Sequence, residues 1–298
     1  ALTECHALIG AGQDYRVPRA PITGCFHLKV WFVLGDDSAV LLVGSGNLTQ
    51  SGFMSNAELF EAIPIDADNP ASIELLGEVR SFLQGLSGMW QGDSAGKQIV
   101  LSTLDAMARN AANLPSYASE VPRISFLHSF KGDLLSQLQI QSPSEELYIA
   151  APYFGNSLEG LSLLEERLQP AQIRLFPAVH SGEATDLPLD EVQDRFPGTM
   201  VAELKVDEKP DAFAHLKLYG LLDGGEEGWM FCTSANCTRT AWRGNNIEAG
   251  ILRRLPTETI RPYFLESGAI LPTKQVGFPD ETASEHTIPC WATDNGNG

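Results

Sequence analysis

An internal repeat constrains this chain more than any other feature of its sequence. Two segments carry a His-x-Lys, then a Ser-x-Asn, then an Asn-x-Glu, in the same order. From His to Ser the spacing is 18 residues in the first copy and 19 in the second. Such agreement indicates two related halves that fold alike. The repeated residues are His27, Lys29, Ser45, Asn47, Asn56 and Glu58, and His215, Lys217, Ser234, Asn236, Asn246 and Glu248.

Each copy has the pattern of a β-hairpin followed by a helix cap and a third strand. The runs HLKVWFVL and HLKLYGLL are apolar, aromatic and of strand length, and AVLLVGS and GWMFCTS return as second strands. Short helices are predicted next, over LTQSGF and CTRTAW. Third strands are then predicted over NAELFEAIPI and NIEAGILRRL. The alternation of a strand places each His and its Lys on one face.

Strands and helices alternate through the rest of the chain, which predicts a mixed α/β fold. Helices are expected over 70–90 and 96–113. RISFLHS, ELYIAAPYF and IRLFPAV are expected strands, separated by the helices GDLLSQLQI and LEGLSLLEERL. A Pro/Ser-rich break at 115–122 separates a first half, 1–114, from a second half, 123–272, and 273–298 reads as a loose tail. The first half is short upstream of its His, which favours an N-terminal truncation.

Composition narrows the classes of function. The chain has 20 Lys and Arg residues and 38 Asp and Glu residues, so its formal charge is −18. Because proteins bind DNA phosphates mainly through Lys and Arg, this charge disfavours DNA binding over the whole surface. No apolar run is long enough to span a bilayer, so no membrane role is expected. The five cysteines form no C-x-x-C pair, which disfavours structural zinc and favours reduced thiols in a cytoplasmic protein.

The repeated residues suit metal-independent phosphodiester chemistry if both copies converge on one pocket. One imidazole attacks phosphorus and becomes a phosphohistidine, and the other protonates the leaving oxygen and then activates water. Lys and Asn side chains stabilise charge on the phosphoryl oxygens, while carboxylates hold the imidazole tautomers. No cofactor and no metal are implied. His128, which has no metal-ligand spacing, is expected at the surface or in a loop.

The doubled HLK and Ser-x-Asn pattern resembles the phospholipase D superfamily, and most closely its nuclease branches. The second motif, TSAN, is similar to the tyrosyl-DNA phosphodiesterase version. The resemblance implies two α/β halves, mixed sheets flanked by helices, related by a pseudo-twofold with the active site between them. It implies His27 as nucleophile and His215 as general acid, oriented by Glu248 and Glu58 respectively. It also implies a phosphate clamp and loop support from the remaining motif residues, Lys29, Lys217, Asn47, Asn236, Ser45 and Ser234.

Leu34 and Leu222 stand where the superfamily has an Asp, which weighs against its lipid-directed branches. The leading hypothesis is therefore a DNA nuclease in prokaryotic defence or repair. Its substrate would be single-stranded or delivered DNA, and a partner subunit or further domain such as a helicase or ATPase would supply binding. The alternatives are DNA-end processing of the tyrosyl-DNA type, a phospholipase D-type lipid hydrolase and a non-catalytic scaffold. The residues alone leave open which histidine attacks.

Overall fold

A computed structural model describes residues 22–34, 38–47, 49, 52, 56–66, 70–90, 94–111, 123–140, 142–180, 183–184, 186–204 and 213–264. The predicted break at 115–122, the tail 273–298 and most of LTQSGF lie outside the described residues. The predicted division into 1–114, 123–272 and 273–298 stays a prediction.

Twelve strands are described. They are β1 (Val30–Leu34), β2 (Ser38–Gly44), β3 (Phe60–Asp66), β4 (Ile124–His128), β5 (Ser144–Ala151), β6 (Pro170–Pro177), β7 (Val179–His180), β8 (Glu183–Ala184), β9 (Met200–Val201), β10 (Leu218–Leu222), β11 (Glu227–Thr233) and β12 (Ala249–Pro256).

The described helices lie between these strands. They are α1 (Pro70–Met89), α2 (Ser94–Ala111), α3 (Leu134–Gln137), α4 (Glu159–Leu168), α5 (Leu189–Arg195), α6 (Arg239–Arg243) and α7 (Thr257–Ile260). Two 3-10 turns, Ser129–Lys131 and Arg261–Phe264, follow β4 and α7.

The repeat appears twice as a three-stranded antiparallel meander. In the first half the meander is a sheet in the order β1-β2-β3. In the second half β10, β11 and β12 form the same meander inside a larger sheet, β4-β12-β11-β10-β5-β6-β9. The β5–β6 pair is parallel because α4 makes the crossover between them. The fold is therefore mixed α/β with two halves, as the sequence predicts.

A shared core joins the two halves. Buried residues of α1 recur at helical spacing, from Leu75 through Val79 and Phe82 to Leu86, so that one face of the helix is apolar. This face packs in one cluster with Leu41 and Ile63 of the first sheet and with residues of β4 and β12. The first sheet is thereby fixed against the edge of the second.

Three local expectations differ from the structure. The helix expected over GDLLSQLQI is a single turn. Asp133 caps it by accepting a hydrogen bond from the Ser136 amide, but the chain becomes extended at Leu138, whose side chain is buried in the core. His128 is fully buried at the end of β4, not at the surface. Both His-x-Lys motifs end just before β1 and β10, outside the regular ladders.

Candidate active site

Two short parallel bridges bring the repeated motifs of opposite halves together. The His27 amide donates to the Ile247 carbonyl at 3.1 Å, and the Ile247 amide donates to the Cys25 carbonyl at 2.9 Å. In the mirrored bridge the Ala57 amide donates to Phe213 at 2.9 Å, and the His215 amide donates to Ala57 at 3.0 Å. Each His-x-Lys of one half therefore runs beside the Asn-x-Glu of the other.

Each histidine pairs with the carboxylate of the opposite half. Nδ1 of His27 lies 3.0 Å from Oε2 of Glu248, and Nδ1 of His215 lies 2.8 Å from Oε1 of Glu58. A carboxylate at Nδ1 favours the tautomer with the proton on that nitrogen and directs Nε2 away from the pair. This exchange of carboxylates is the arrangement that the phospholipase D resemblance implies.

The two serines of the repeat hold the carboxylates. Ser45 Oγ donates to Glu58 Oε2 at 2.6 Å, and Ser234 Oγ donates to Glu248 Oε2 at 2.5 Å. Each hydroxyl also accepts from the amide that follows its glutamate, Leu59 in one half and Ala249 in the other. The serines therefore position the glutamates.

The asparagines of Asn-x-Glu also hold the carboxylates, a role that sequence reasoning missed although the residues lie in the repeat. Nδ2 of Asn56 donates to Glu58 Oε1 at 3.3 Å, and Nδ2 of Asn246 donates to Glu248 Oε1 at 3.2 Å. Asn246 also accepts from the Cys25 amide at 3.2 Å, so it ties the two segments of its bridge together. The spacing of two residues to Glu was the available signal.

Both repeat lysines are buried beside their histidines. Lys29 is 5% exposed and Lys217 is fully buried, and each ammonium donates to the carbonyl of its own histidine, at 3.0 and 2.8 Å. Lys217 Nζ also lies 2.8 Å from Nε2 of His215. The two buried ammonium groups supply charged hydrogen-bond donors for the oxygens of a group such as phosphate, while the carboxylates of Glu58 and Glu248 balance their charge.

The asparagines of Ser-x-Asn differ between the halves. Asn47 is exposed, whereas Asn236 is partly buried. Oδ1 of Asn236 is buried and has no hydrogen-bond partner within the described part of the chain. The Asn236 amide oxygen therefore remains available to a bound group.

Burial keeps both histidines neutral. It lowers the pKa of His215 to about 4, opposed by the hydrogen bond to Glu58 and reinforced by the charge of Lys217. It also lowers the pKa of His27, opposed by Glu248 and reinforced by Lys29 and by Lys217 of the other half. This reach of Lys217 across the interface places both histidines in one electrostatic environment.

Hydrogen bonds keep both glutamates charged. Burial by itself raises the pKa of Glu248, but its partners, His27 foremost, lower it on balance. The same opposition of burial and His215 lowers the pKa of Glu58. Each pair is therefore a neutral imidazole on a carboxylate, with a lysine alongside.

Two aromatic rings flank the second histidine. The ring centroid of Tyr153 lies 6.3 Å from that of His215, edge-on, and the ring of Phe213 lies 6.1 Å away on a tilt. Both are partly exposed. His215 therefore lies beside two aromatic side chains, which the binding of a phosphate group does not by itself require.

Searches with the sequence give no match to a family model and no match among curated proteins. The fold, in contrast, matches solved structures. Yeast tyrosyl-DNA phosphodiesterase aligns with a TM-score of 0.51 at 13% identity, covering 87% of this chain and 72% of that one. A histidine-to-arginine variant of the yeast enzyme gives 0.53 at 14%, covering 82% and 73%. NucT from Helicobacter pylori gives 0.31 at 17%, covering 47% and 89%.

Proposed function

We propose that this chain, which has the two-half fold of the phospholipase D superfamily, is a metal-independent phosphodiesterase that cleaves DNA through a covalent phosphohistidine. The observation that carries the proposal is the pair of reciprocal His–Glu contacts, Nδ1 of His27 to Glu248 and Nδ1 of His215 to Glu58. A fold by itself does not establish a function. Two oriented imidazoles and two buried lysines, however, supply the nucleophile, the acid and the hydrogen-bond donors that phosphoryl transfer needs.

The first step forms the phosphohistidine. With its Nδ1–H donating to the Glu248 carboxylate, His27 presents the Nε2 lone pair to phosphorus, and the bond to the leaving oxygen breaks as the N–P bond forms. Protonated His215 gives its proton to that oxygen. In the second step His215 takes a proton from water, whose oxygen attacks phosphorus and releases His27. Lys29 and Lys217 stabilise the phosphoryl oxygens in both steps.

His27 is the better placed nucleophile. Its side chain is 20% exposed, whereas that of His215 is 9% exposed. The Nε2 of His215 also lies against the Lys217 ammonium, whose charge opposes protonation of the ring. The oxygens of a bound phosphate accept hydrogen bonds from Lys217 and bring negative charge close to His215. Substrate binding therefore raises the pKa of His215, so that it becomes protonated and can act as the acid.

The substrate we propose is single-stranded or delivered DNA in a prokaryotic defence or repair setting. A formal charge of −18 opposes binding to a polyanion, so we assign DNA binding to a protein partner or further domain such as a helicase or ATPase. A cytoplasmic setting stays a prediction. No helix among the described residues is long and apolar enough to cross a membrane.

The test is cleavage of labelled single- and double-stranded DNA in EDTA, with the phosphohistidine trapped by acid-free denaturation. Cleavage that persists in EDTA and disappears in His27→Ala supports the proposal. Strict dependence on Mg²⁺ contradicts it. Ser136→Ala serves as the control, since this exposed serine lies in the α3 turn and its hydrogen bonds to Asp133 are local.

Delegated binding has its own test, which is the affinity of this chain for DNA as a function of salt. We expect weak binding with a shallow salt slope, because few cations face the polyanion. Tight binding by the chain alone contradicts delegation and leaves the catalytic proposal intact.

A second candidate is the removal of an aromatic adduct from a DNA end. Tyr153 and Phe213 favour it, because they place two rings beside the histidine assigned to the leaving group. Flat aromatic groups pack well on such rings. Comparing an oligonucleotide with a 3′-tyrosyl end and the same oligonucleotide with a 3′-alkyl phosphodiester separates the two. Preference for the tyrosyl end that is lost in Phe213→Leu supports end processing.

A further inference from the structure

We infer that Ser129, which lies outside the repeat, is a positioning residue for His27 and acts by holding Glu248 in place. For its effect on catalysis the inference rests on the proposed function. Its effect on the geometry of His27 does not.

Ser129 binds both backbone polar groups of Glu248. The Ser129 amide donates to the Glu248 carbonyl at 3.0 Å, and Ser129 Oγ approaches the same oxygen at 3.2 Å. The Glu248 amide in turn donates to Ser129 Oγ at 2.9 Å. One serine therefore fixes the peptide groups on both sides of the residue that orients His27.

A hydroxyl is needed at this position because the sheet ends there. The β4–β12 ladder pairs His128 with Ala249, so Ser129 and Glu248 are the next opposed residues. The chain turns into a 3-10 turn at Ser129, and the Ser129 carbonyl accepts from the Gly132 amide. Ser129 Oγ therefore takes the place of a backbone acceptor for the Glu248 amide.

Removing that hydroxyl leaves a buried donor without an acceptor. Glu248 is fully buried, so water does not replace the lost partner. Such a group is costly to leave unsatisfied, and the backbone shifts to recover a bond. Because the Glu248 side chain starts at this backbone, a shift there moves the carboxylate at Nδ1 of His27.

The turn that carries Ser129 is itself anchored. Gln137 Nε2 donates to the carbonyls of His128 and Gly132 at 3.0 and 2.9 Å, and Gln137 Oε1 accepts from the His128 amide. Lys131 pairs with Glu78 of α1 at 3.4 Å. Ser129 is therefore held from both sides and can act as a fixed support.

The other catalytic pair has no such support among the described residues. Ser45 and Asn56 bind the carboxylate of Glu58, but no described hydroxyl bonds the Glu58 backbone. Within the described part of the chain, this kind of support is seen at the Glu248–His27 pair. A variant of Ser129 should affect one histidine and spare the other, which a general loss of stability would not do.

The kinetic test compares Ser129→Ala, Ser129→Thr and the control Ser136→Ala in the full chain. We expect Ser129→Ala to lower kcat about 10-fold or more at nearly unchanged KM, since small misplacement of a reacting group is costly. Ser129→Thr, which keeps the hydroxyl, should retain most of the wild-type kcat. A change confined to KM, or an equal loss in Ser136→Ala, overturns the inference.

An independent test follows the histidine rings by NMR with ¹⁵N-labelled histidine. We expect the ring signals and titration of His27 to change in Ser129→Ala while those of His215 stay in place. Changes at both rings or at neither overturn the inference. If Ser129→Ala does not fold, Ser129→Cys, a weaker hydrogen-bonding partner, takes its place. If the wild-type chain cleaves no DNA but the His27 ring signals still change in Ser129→Ala, the proposed function is wrong and the role of Ser129 is upheld.

Discussion

The two halves carry the same polar residues in unequal surroundings. Within the described residues β1 is paired only with β2, whereas β10 lies between β5 and β11. His215 leads into the enclosed strand and is the more buried histidine, and Lys217 lies against it. The duplicated motif thus lies in two unequal environments, which differ in burial and not in residue type. In the mechanism we propose, the more exposed histidine attacks and the more buried one transfers the proton.

Removing each imidazole in turn should have the largest effect and should distinguish the two halves. His27→Ala and His215→Ala should each lower cleavage by about 10⁴-fold, as loss of a covalent or acid–base partner does elsewhere. They should differ in the trapped intermediate: His215→Ala accumulates labelled phosphoprotein because water is no longer activated, and His27→Ala shows none. The measurement is ³²P retained on denatured protein. Label on His27→Ala reverses the two roles.

Exchanging the carboxylates for amides sharpens the contrast. Glu248→Gln and Glu58→Gln should each lower kcat by about 10²-fold or more, because an amide no longer fixes the imidazole tautomer. The loss should be larger for Glu248→Gln, since its side chain is fully buried and that of Glu58 is 5% exposed. Initial rates on a defined oligonucleotide measure this, with circular dichroism to verify folding. An unchanged kcat in Glu248→Gln contradicts the orienting role.

Acid should reveal the buried histidines through stability. Burial lowers the pKa of both His215 and His128 to about 4 and lowers that of His27, from ordinary values near 6.5. As pH falls below 6.5, these histidines become protonated in the unfolded chain but stay neutral in the folded chain. The free energy of unfolding is therefore full above 6.5 and declines between 6.5 and 4. Urea midpoints at pH 7 and pH 5 should show this decline.

His128 provides the matched control for that decline. Both its ring nitrogens are buried without a hydrogen-bond partner in the described structure, and Phe82, Phe126 and Phe130 surround it. His128→Phe removes one buried titrating group from outside the active site, so its midpoint should fall less between pH 7 and pH 5. A wild-type slope in this variant would show that His128 does not titrate in that range.

The smallest effect is expected at the ion pair that joins the halves. Both Nε and Nη2 of Arg253 approach Oε2 of Glu61, at 3.0 and 2.9 Å, in a partly buried setting. Arg253→Met should lower the free energy of unfolding by about 2 kcal/mol, as expected for a hydrogen bond to a charged group. The exposed pair Arg239–Glu159 is the control and should contribute under about 1 kcal/mol. Equal effects would show that the contact between the halves does not depend on Arg253.

The resemblance to the phospholipase D superfamily, and not the repeat itself, predicted that each histidine pairs with the glutamate of the other half. The repeat was enough to predict two related halves and the three strands of each. Order and spacing encode these because each motif is local and the strand pattern around it is regular. The supports from outside the motif were not predictable. Ser129 reaches Glu248 across 119 residues, and nothing in RISFLHS distinguishes Ser129 from Ser125. The burial of His128 was not predictable because it depends on packing against α1. Phe126 and Phe130 are its neighbours in sequence, but Phe82 comes from that helix.

The exchange of carboxylates makes each His–Glu pair a property of the complete chain. His27 and Glu248 are 221 residues apart in sequence, and His215 and Glu58 are 157 apart. Neither imidazole therefore gains its orienting partner until both halves have folded and packed together, so an incompletely synthesised chain lacks both pairs at once.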